Sequence, residues 1–358
     1  INGRYGDDII YGDNGNDIIT GGDGNDYCNG GSGWDIYDIS NFYSKDINLF
    51  YKDNCWNVSH KSYASFGTDK LFEFEAISLA DRAIRVDTQT HASYAGLPTE
   101  LYQFFITAFN AAPGVTYMDQ LADAYRYGLS VKQIVDIFTT KSQFTNVYPT
   151  TLSNLDMATQ LVNNIVKTSA TNAVKTSAVA DIKAAMDSGW TVGQVIYQVF
   201  GNLAKMPLTD PSWGNTTKQF NNEIAVAKYY TEVLNQSTTD LKTLMDVIQS
   251  VTQSTNVSTD AVVAQLIGDA LLTGTSPPPP TYSLAPNTAS ADEGSTATFT
   301  LTTTNVAPGT SVRYALSGSI SALDVSGGVM SGNTTVNASG VATISVSLLT
   351  DSLVEGQE

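Results

Sequence analysis

The sequence predicts a multidomain chain of α and β parts: a parallel β-roll with a β-rich flank, a helical domain, and an antiparallel β-sandwich that ends incomplete. Three observations predict it. The first forty residues repeat every nine, with Gly and Asp in fixed places. From Leu97 the apolar residues switch to a 3.6-residue period. Prolines Pro277 to Pro280 then precede a stretch rich in Thr, Ser, Val and Gly with short alternating runs. The 358 residues suit two or three domains. The expected boundaries are 1–41 for the roll, 42–96 for the flank, 97–274 for the helices, 275–280 for the linker and 281–358 for the sandwich.

Each element follows from its residues, beginning with the roll. Cut from Gly3 in nines, the chain reads GRYGDDIIY, GDNGNDIIT, GGDGNDYCN and GGSGWDIYD. Position four is always Gly (Gly6, Gly15, Gly24, Gly33) and position six always Asp (Asp8, Asp17, Asp26, Asp35). Position eight is large or apolar: Ile10, Ile19, Cys28, Tyr37. Glycines let the backbone take positive φ and turn its carbonyls toward one point. The residues after each Asp then form a short strand. A flexible Gly/Asp linker would not keep an apolar residue at every ninth position. Residues 1–40 also hold eight Asp against Arg4 alone. That density repels unless a cation neutralises it, and calcium takes about six to eight hard oxygens of the kind these turns carry.

This segment resembles the RTX calcium-binding β-roll, which implies that two repeats complete one coil, so repeat n stacks on repeat n+2. The resemblance implies that one turn gives the carbonyls of positions two and four and the Asp of position six. The stacked turn adds the carbonyls of positions one and three and its own Asp. On this chain it implies one site of Arg4, Gly6, Asp8, Gly21, Asp23 and Asp26, and a second of Asp13, Gly15, Asp17, Gly30, Ser32 and Asp35. Residues 39–47 lose the Gly and Asp positions and argue against a third complete site.

Residues 46–59 and 67–86 alternate apolar and polar residues as strands do. Lys52-Asp53-Asn54 is expected to turn a hairpin between Leu49-Phe50-Tyr51 and Cys55-Trp56-Asn57-Val58. Gly67-Thr68-Asp69-x-Leu71 with Glu75-x-Ile77-x-Leu79 resembles the strand-rich segment that closes an RTX roll and covers its open edge. Cys28 is explained as a small inward hydrophobe, which leaves its pairing with Cys55 open.

In the helical region Leu101, Phe104, Phe105, Ala108 and Phe109 line one face. An internal repeat at an offset of 61 matches Gly128, Ser130, Val131, Gln133, Ile134 and Phe138 to Gly189, Thr191, Val192, Gln194, Val195 and Val199. Each copy reads as a helix ended by Gly and a new helix opened by a Ser/Thr-x-x-Gln capping box. Two further helices are expected, over Thr239–Gln253 after Thr238 and over Thr259–Leu272 after Ser258. The arrangement Leu101, Tyr102, Phe105, Ala108, Phe109, Pro113, with the runs 128–131 and 138–144, resembles a helical domain of unknown function. That domain accompanies RTX repeats in bacterial secreted and surface-layer proteins, and the resemblance implies surface anchoring or glycan contact. The chain departs from the pattern between Tyr117 and Leu121. No Ser/His/Asp or Cys/His constellation suggests catalysis, so the chain is read as no enzyme.

The last segment alternates over Ala297–Thr303, Ser311–Leu316 and Val341–Leu348, which predicts the sandwich. Asp292-Glu293-Gly294 and Asp351-x-x-x-Glu355-Gly356 resemble the Calx-β domain. The resemblance implies Glu293, Asp324, Asp351 and Glu355 as calcium ligands near one end.

Composition excludes other classes. The net charge of −17 repels nucleic acid and anionic lipid, and no basic patch offsets it. Two Cys and two His build neither a zinc-finger array nor a disulfide scaffold. No run nears the ~18 apolar residues of a membrane span. The chain opens on Ile1 and closes within a strand-like run, so it is expected to be the middle of a longer protein. The expected function is a structural segment of a large secreted bacterial cell-surface protein, exported by a type I route. External calcium would fold it and assemble it with copies of itself into a surface layer (S-layer) or fibre. The alternatives are a calcium-dependent adhesin binding glycan or another cell, and the non-catalytic region of a secreted RTX enzyme or toxin.

Overall fold

The computed structural model describes residues 1–274, 281–288, 290–304, 311–318, 320–337 and 341–350. It is a mixed α and β structure in two compact units, Ile1–Ser276 and Pro277–Glu358.

The nine-residue repeats form β1 (Asn2–Tyr5), β2 (Ile9–Tyr11), β3 (Ile18–Asp23), β4 (Tyr27–Asn29) and β5 (Ile36–Ile39). Each strand pairs in parallel with the strand two repeats on: Asn2 with Thr20, Ile10 with Cys28, Ile19 with Tyr37. Side chains alternate across a strand, so position eight turns inward and position seven outward. Ile19, Cys28 and Tyr37 are fully buried, whereas Ile9 and Ile18 are exposed. This region fits a β-roll.

The flank supplies β6 (Ile47–Lys52), β7 (Cys55–His60), β8 (Thr68–Phe72), β9 (Ala76–Leu79) and β10 (Ala83–Arg85). β8 pairs in parallel with β4, and β9 in parallel with β5, so residues 67–79 wind one further coil onto the roll. Antiparallel strands then end the stack, giving sheet orders β1-β3-β5-β9-β10 and β2-β4-β8-β7-β6. The β6–β7 hairpin turns on Asp53 and Asn54, both at positive φ (53° and 62°), as a two-residue hairpin loop requires. Cys28, Leu71 and Trp56 stand in register across β4, β8 and β7. Cys55, next to Trp56, therefore faces the other side of the sheet. Both cysteines are buried and free.

The helices are α1 (Glu100–Phe109), α2 (Gly114–Arg126), α3 (Val131–Phe138), α4 (Ser142–Thr145), α5 (Asn154–Val166), α6 (Asn172–Asp187), α7 (Val192–Gln194), α8 (Gly201–Leu203), α9 (Gly214–Lys228), α10 (Leu241–Gln249) and α11 (Asp260–Thr273). Both expected capping boxes form, Ser130 with Gln133 and Thr191 with Gln194. The copies then diverge: α3 is a regular helix, whereas Val195–Phe200 between α7 and α8 is a π-helix. Two expected caps move. Asp240, not Thr238, caps α10, because its carboxylate reaches the Thr243 N–H (3.0 Å) while the buried Thr238 hydroxyl accepts from the Asp240 N–H. Thr259, not Ser258, caps α11. One apolar core runs from Ile10 in the roll to Leu272 in α11. α11 meets β6 closely, with Gly268 against the Leu49 carbonyl.

The second unit holds β11 (Thr281–Pro286), β12 (Thr296–Thr304), β13 (Ser311–Ala315), β14 (Ser331–Thr335) and β15 (Val341–Ser347). They make two antiparallel sheets, β11-β12-β15 and β13-β14. Alternation along β15 buries Ala342, Ile344 and Val346. The expected linker, Pro277 to Pro280, lies outside the described residues.

Candidate metal sites

The turns between strands carry the Asp residues, and parallel stacking decides which of them meet. The Asp8 N–H donates to Asp26 Oδ1 and the Asp17 N–H to Asp35 Oδ1, each at 2.8 Å. Asp8 and Asp26 therefore share one edge of the roll, and Asp17 and Asp35 the other. The second oxygen of all four carboxylates, Oδ2, is buried without a hydrogen-bond partner. A buried acceptor left unpaired costs about 1–3 kcal/mol, and more when charged. Four of them in one motif fit a bound cation.

Backbone oxygens stand beside these carboxylates. Position one is Gly in every repeat because its Cα faces the carboxylate of its own turn. A Cβ on Gly3 would stand 2.6 Å from Asp8 Oδ2 and run into the Gly21 carbonyl oxygen. One on Gly12 would stand 2.9 Å from Asp17 Oδ2 and run into the Gly30 carbonyl oxygen. Each pair of oxygens thus flanks one point. Positions two and four take positive φ whatever their side chain: Arg4 (80°), Gly6 (99°), Asp13 (65°) and Gly15 (121°). The Asp13 carbonyl accepts from the Ser32 N–H (2.7 Å), the Asp23 carbonyl from Gly6 (2.8 Å), and the Ser32 carbonyl from Gly15 (2.9 Å). Each keeps a second lone pair for a cation. The Tyr63 hydroxyl donates to Asp23 Oδ2 at 3.0 Å.

Position five ties the turns together. Asp7 Oδ1 accepts the Asn25 N–H (2.8 Å), and Asn16 Oδ1 accepts the Trp34 N–H (3.0 Å). Burial raises the Asp26 carboxyl above the usual carboxylate range; the Asp8 N–H lowers it and the Asp8 charge adds to the rise. A carboxylate in that state favours a proton or a cation.

Sequence reasoning assigned no ligand role in the last coil. Gly67-x-Asp69-x-Leu71 keeps the spacing of positions four, six and eight, and Glu75-x-Ile77 keeps six and eight. The Asp26 N–H donates to Asp69 Oδ1 (3.0 Å) and the Asp35 N–H to Glu75 Oε2 (2.5 Å). The carboxylate column therefore runs one step further on both edges. The stacking interval changes from 18 residues to 43 and 40, which hides the continuation from a period search. Asp69 is fully buried, and burial pushes its carboxyl up to about 7 although the Tyr37 hydroxyl donates to it.

In the second unit Asp324 Oδ2 accepts the Ser321 N–H at 2.6 Å, and Glu293 is exposed. Asp351 and Glu355 lie outside the described residues. Among the described residues no group of three or more His, Cys, Asp or Glu comes together to hold a metal. The oxygens in the roll's turns are mostly backbone carbonyls.

The family model of the RTX calcium-binding nonapeptide repeat matches residues 2–37 in four copies. These repeats bind calcium. Proteins that carry them are typically secreted by bacteria. The match covers the roll and none of the helices or the second unit. No curated protein and no solved structure matches the chain. Among the described residues no helix is long and apolar enough to cross a membrane.

Proposed function

We propose that this chain is a calcium-folded structural segment of a bacterial cell-surface protein. It is exported by a type I route and assembles with copies of itself into a surface layer or fibre. The observation that supports this most is the four buried, unpartnered Oδ2 atoms of Asp8, Asp17, Asp26 and Asp35. Arg4, Gly6, Asp8, Gly21, Asp23 and Asp26 would hold one ion. Asp13, Gly15, Asp17, Gly30, Ser32 and Asp35 would hold the second. Bound calcium supplies the positive charge that lets these oxygens approach. At low internal calcium the carboxylates repel and the roll stays open for export. Outside, sites of roughly 10⁻⁴–10⁻³ M affinity would fill, and binding becomes folding free energy. No catalytic role is assigned to the chain, and its expected partners are its own copies.

Circular dichroism of the full chain with calcium and with a chelator tests the folding claim. The β signal is expected to fall on chelation and return with calcium; a spectrum indifferent to chelator would sink it. Imaging then tests assembly: an ordered lattice or filament is expected, and a monodisperse monomer at high calcium counts against it.

A second reading, a calcium-dependent adhesin binding glycan, has one observation behind it. A cleft of about 220 Å³ is lined in part by Tyr51, Trp56, Phe72, Asn29, Asn54 and Gln89. An aromatic wall with amides beside it suits a sugar ring. Glycan capture lost in Trp56→Phe would favour this reading over assembly alone.

A further inference from the structure

We infer that the non-repeat segment Glu73-Phe74-Glu75 completes a third calcium site with the fourth nonapeptide, made by Gly31, Gly33 and Asp35 with the Glu73 carbonyl and the Glu75 carboxylate. It rests on the calcium reading of the repeats and extends it beyond residues 2–37, where the repeat match ends.

The geometry of the second edge carries it. Asn29 pairs with Phe72, and Ile36 with Ala76. Between these registers the fourth repeat has six residues, Gly30 to Asp35, and the coil stacked on it has three, Glu73 to Glu75. The shortened turn keeps the oxygens at its two ends. The Gly30 N–H donates to the Phe72 carbonyl (3.0 Å), as the Gly12 N–H does to Asn29 (2.8 Å). A Cβ on Gly30 would run into the Glu73 carbonyl oxygen and stand 2.9 Å from Asp35 Oδ2. Gly12 meets the Gly30 oxygen and Asp17 Oδ2 in the same way, again with 2.9 Å to the carboxylate. Glu73 thus places its carbonyl where a position-one residue places its own in the repeats, although its positive φ of 53° sets its backbone apart from theirs. Glu75 stands where the position-six Asp stands: its Oε2 accepts the Asp35 N–H, as Asp35 Oδ1 accepts that of Asp17. Asp35 is fully buried, its Oδ1 is used, and its Oδ2 has no partner.

The oxygen count suffices. Gly31 and Gly33 supply the carbonyls of positions two and four, Asp35 its Oδ2, Glu73 its carbonyl and Glu75 its remaining Oε1. Water completes the six or more ligands that calcium takes. The longer Glu side chain spans the gap left by the three deleted residues. Because the position-three carbonyl is missing, this site is expected to fill last.

The first edge ends differently. There the Tyr37 hydroxyl stands 2.9 Å from the Cβ position of Gly21, where the other turns place a carbonyl oxygen. It donates to Asp69 Oδ2, so a proton donor closes that edge beside Asp26 Oδ2. Asp35 therefore serves two ions and Asp26 one.

Native mass spectrometry of the full chain in calcium counts the ions. Three are expected in the wild type, two in Glu75→Gln, two in Asp26→Asn and one in Asp35→Asn. Glu75→Gln keeps an acceptor for the Asp35 N–H. Should that variant not fold, the difference between the two Asp variants still reads the asymmetry. Two ions in the wild type, unchanged by Glu75→Gln, would overturn the third site and leave the repeat sites standing. No ion at all would overturn both.

Discussion

At the scale of single residues, the roll is governed by where a Cβ can and cannot go. Gly12 faces a backbone carbonyl, which cannot swing aside as a side chain can. Gly12→Ala is expected to destabilise the calcium-loaded chain by roughly 1–3 kcal/mol, the usual cost of an overpacked site, and to weaken calcium binding on that edge. Gly6 has open space around it, so Gly6→Ala meets only the penalty of its φ of 99°, about 1–2 kcal/mol. Urea melts read the stability losses and calcium titrations separate the two; equal calcium affinity in both variants would contradict the packing argument. Glu223 in α9 is a second residue-scale case. Burial pushes its carboxyl up to about 7 in spite of Lys167 Nζ at 2.7 Å. A carboxyl raised above its ordinary 4.5 gives stability that is full below that value and lost as pH rises through about 7. Between about pH 5 and pH 8 the wild type is therefore expected to lose stability relative to Glu223→Gln. A difference that runs the other way, measured by urea midpoint, rejects this account.

Elements are held by contacts that no local pattern announces. Gly268 sits mid-helix in α11, where Ala would gain about 1 kcal/mol of helix propensity. Its Cα lies against the Leu49 carbonyl of β6, however, and a methyl group there would overlap that oxygen. Backbone cannot yield cheaply, so Gly268→Ala is expected to destabilise by about 1–3 kcal/mol instead of stabilising. A raised melting temperature would show that the helix can shift off β6. The same scale shows what a sequence can say about helices. Ser130-x-x-Gln133 and Thr191-x-x-Gln194 were legible because a capping box is closed within four residues. The caps at Asp240 and Thr259 were misplaced by one or two residues because neighbouring hydroxyls looked equally suitable. Burial of Thr238 decided the first, and that is a tertiary fact.

For the whole molecule, the roll, the flank and the helices share one apolar core from Ile10 to Leu272. Calcium held in the first forty residues is therefore expected to stabilise the helices as well. With free calcium at about 100 times the dissociation constant, each ion contributes about 2.7 kcal/mol. Chelation should then lower the melting temperature of the helical signal at 222 nm together with that of the β signal. A helical melt unmoved by chelator would mean that the core does not couple the two. The nine-residue period by itself determined the inward positions Ile10, Ile19, Cys28 and Tyr37, because each repeat follows one local rule; its resemblance to the RTX repeat implied the parallel stacking and calcium as the ligand. The change of stacking interval at Asp69 and Glu75, from 18 residues to 43 and 40, escaped it. Only the folded chain decided that residues 67–79, expected to cover the roll's open edge, wind onto it as a further parallel coil after the β6–β7 hairpin, bringing Asp69 and Glu75 under Asp26 and Asp35. The physical reason is that stacking is a through-space register. Inserted and deleted residues leave it intact as long as the strands on either side still pair.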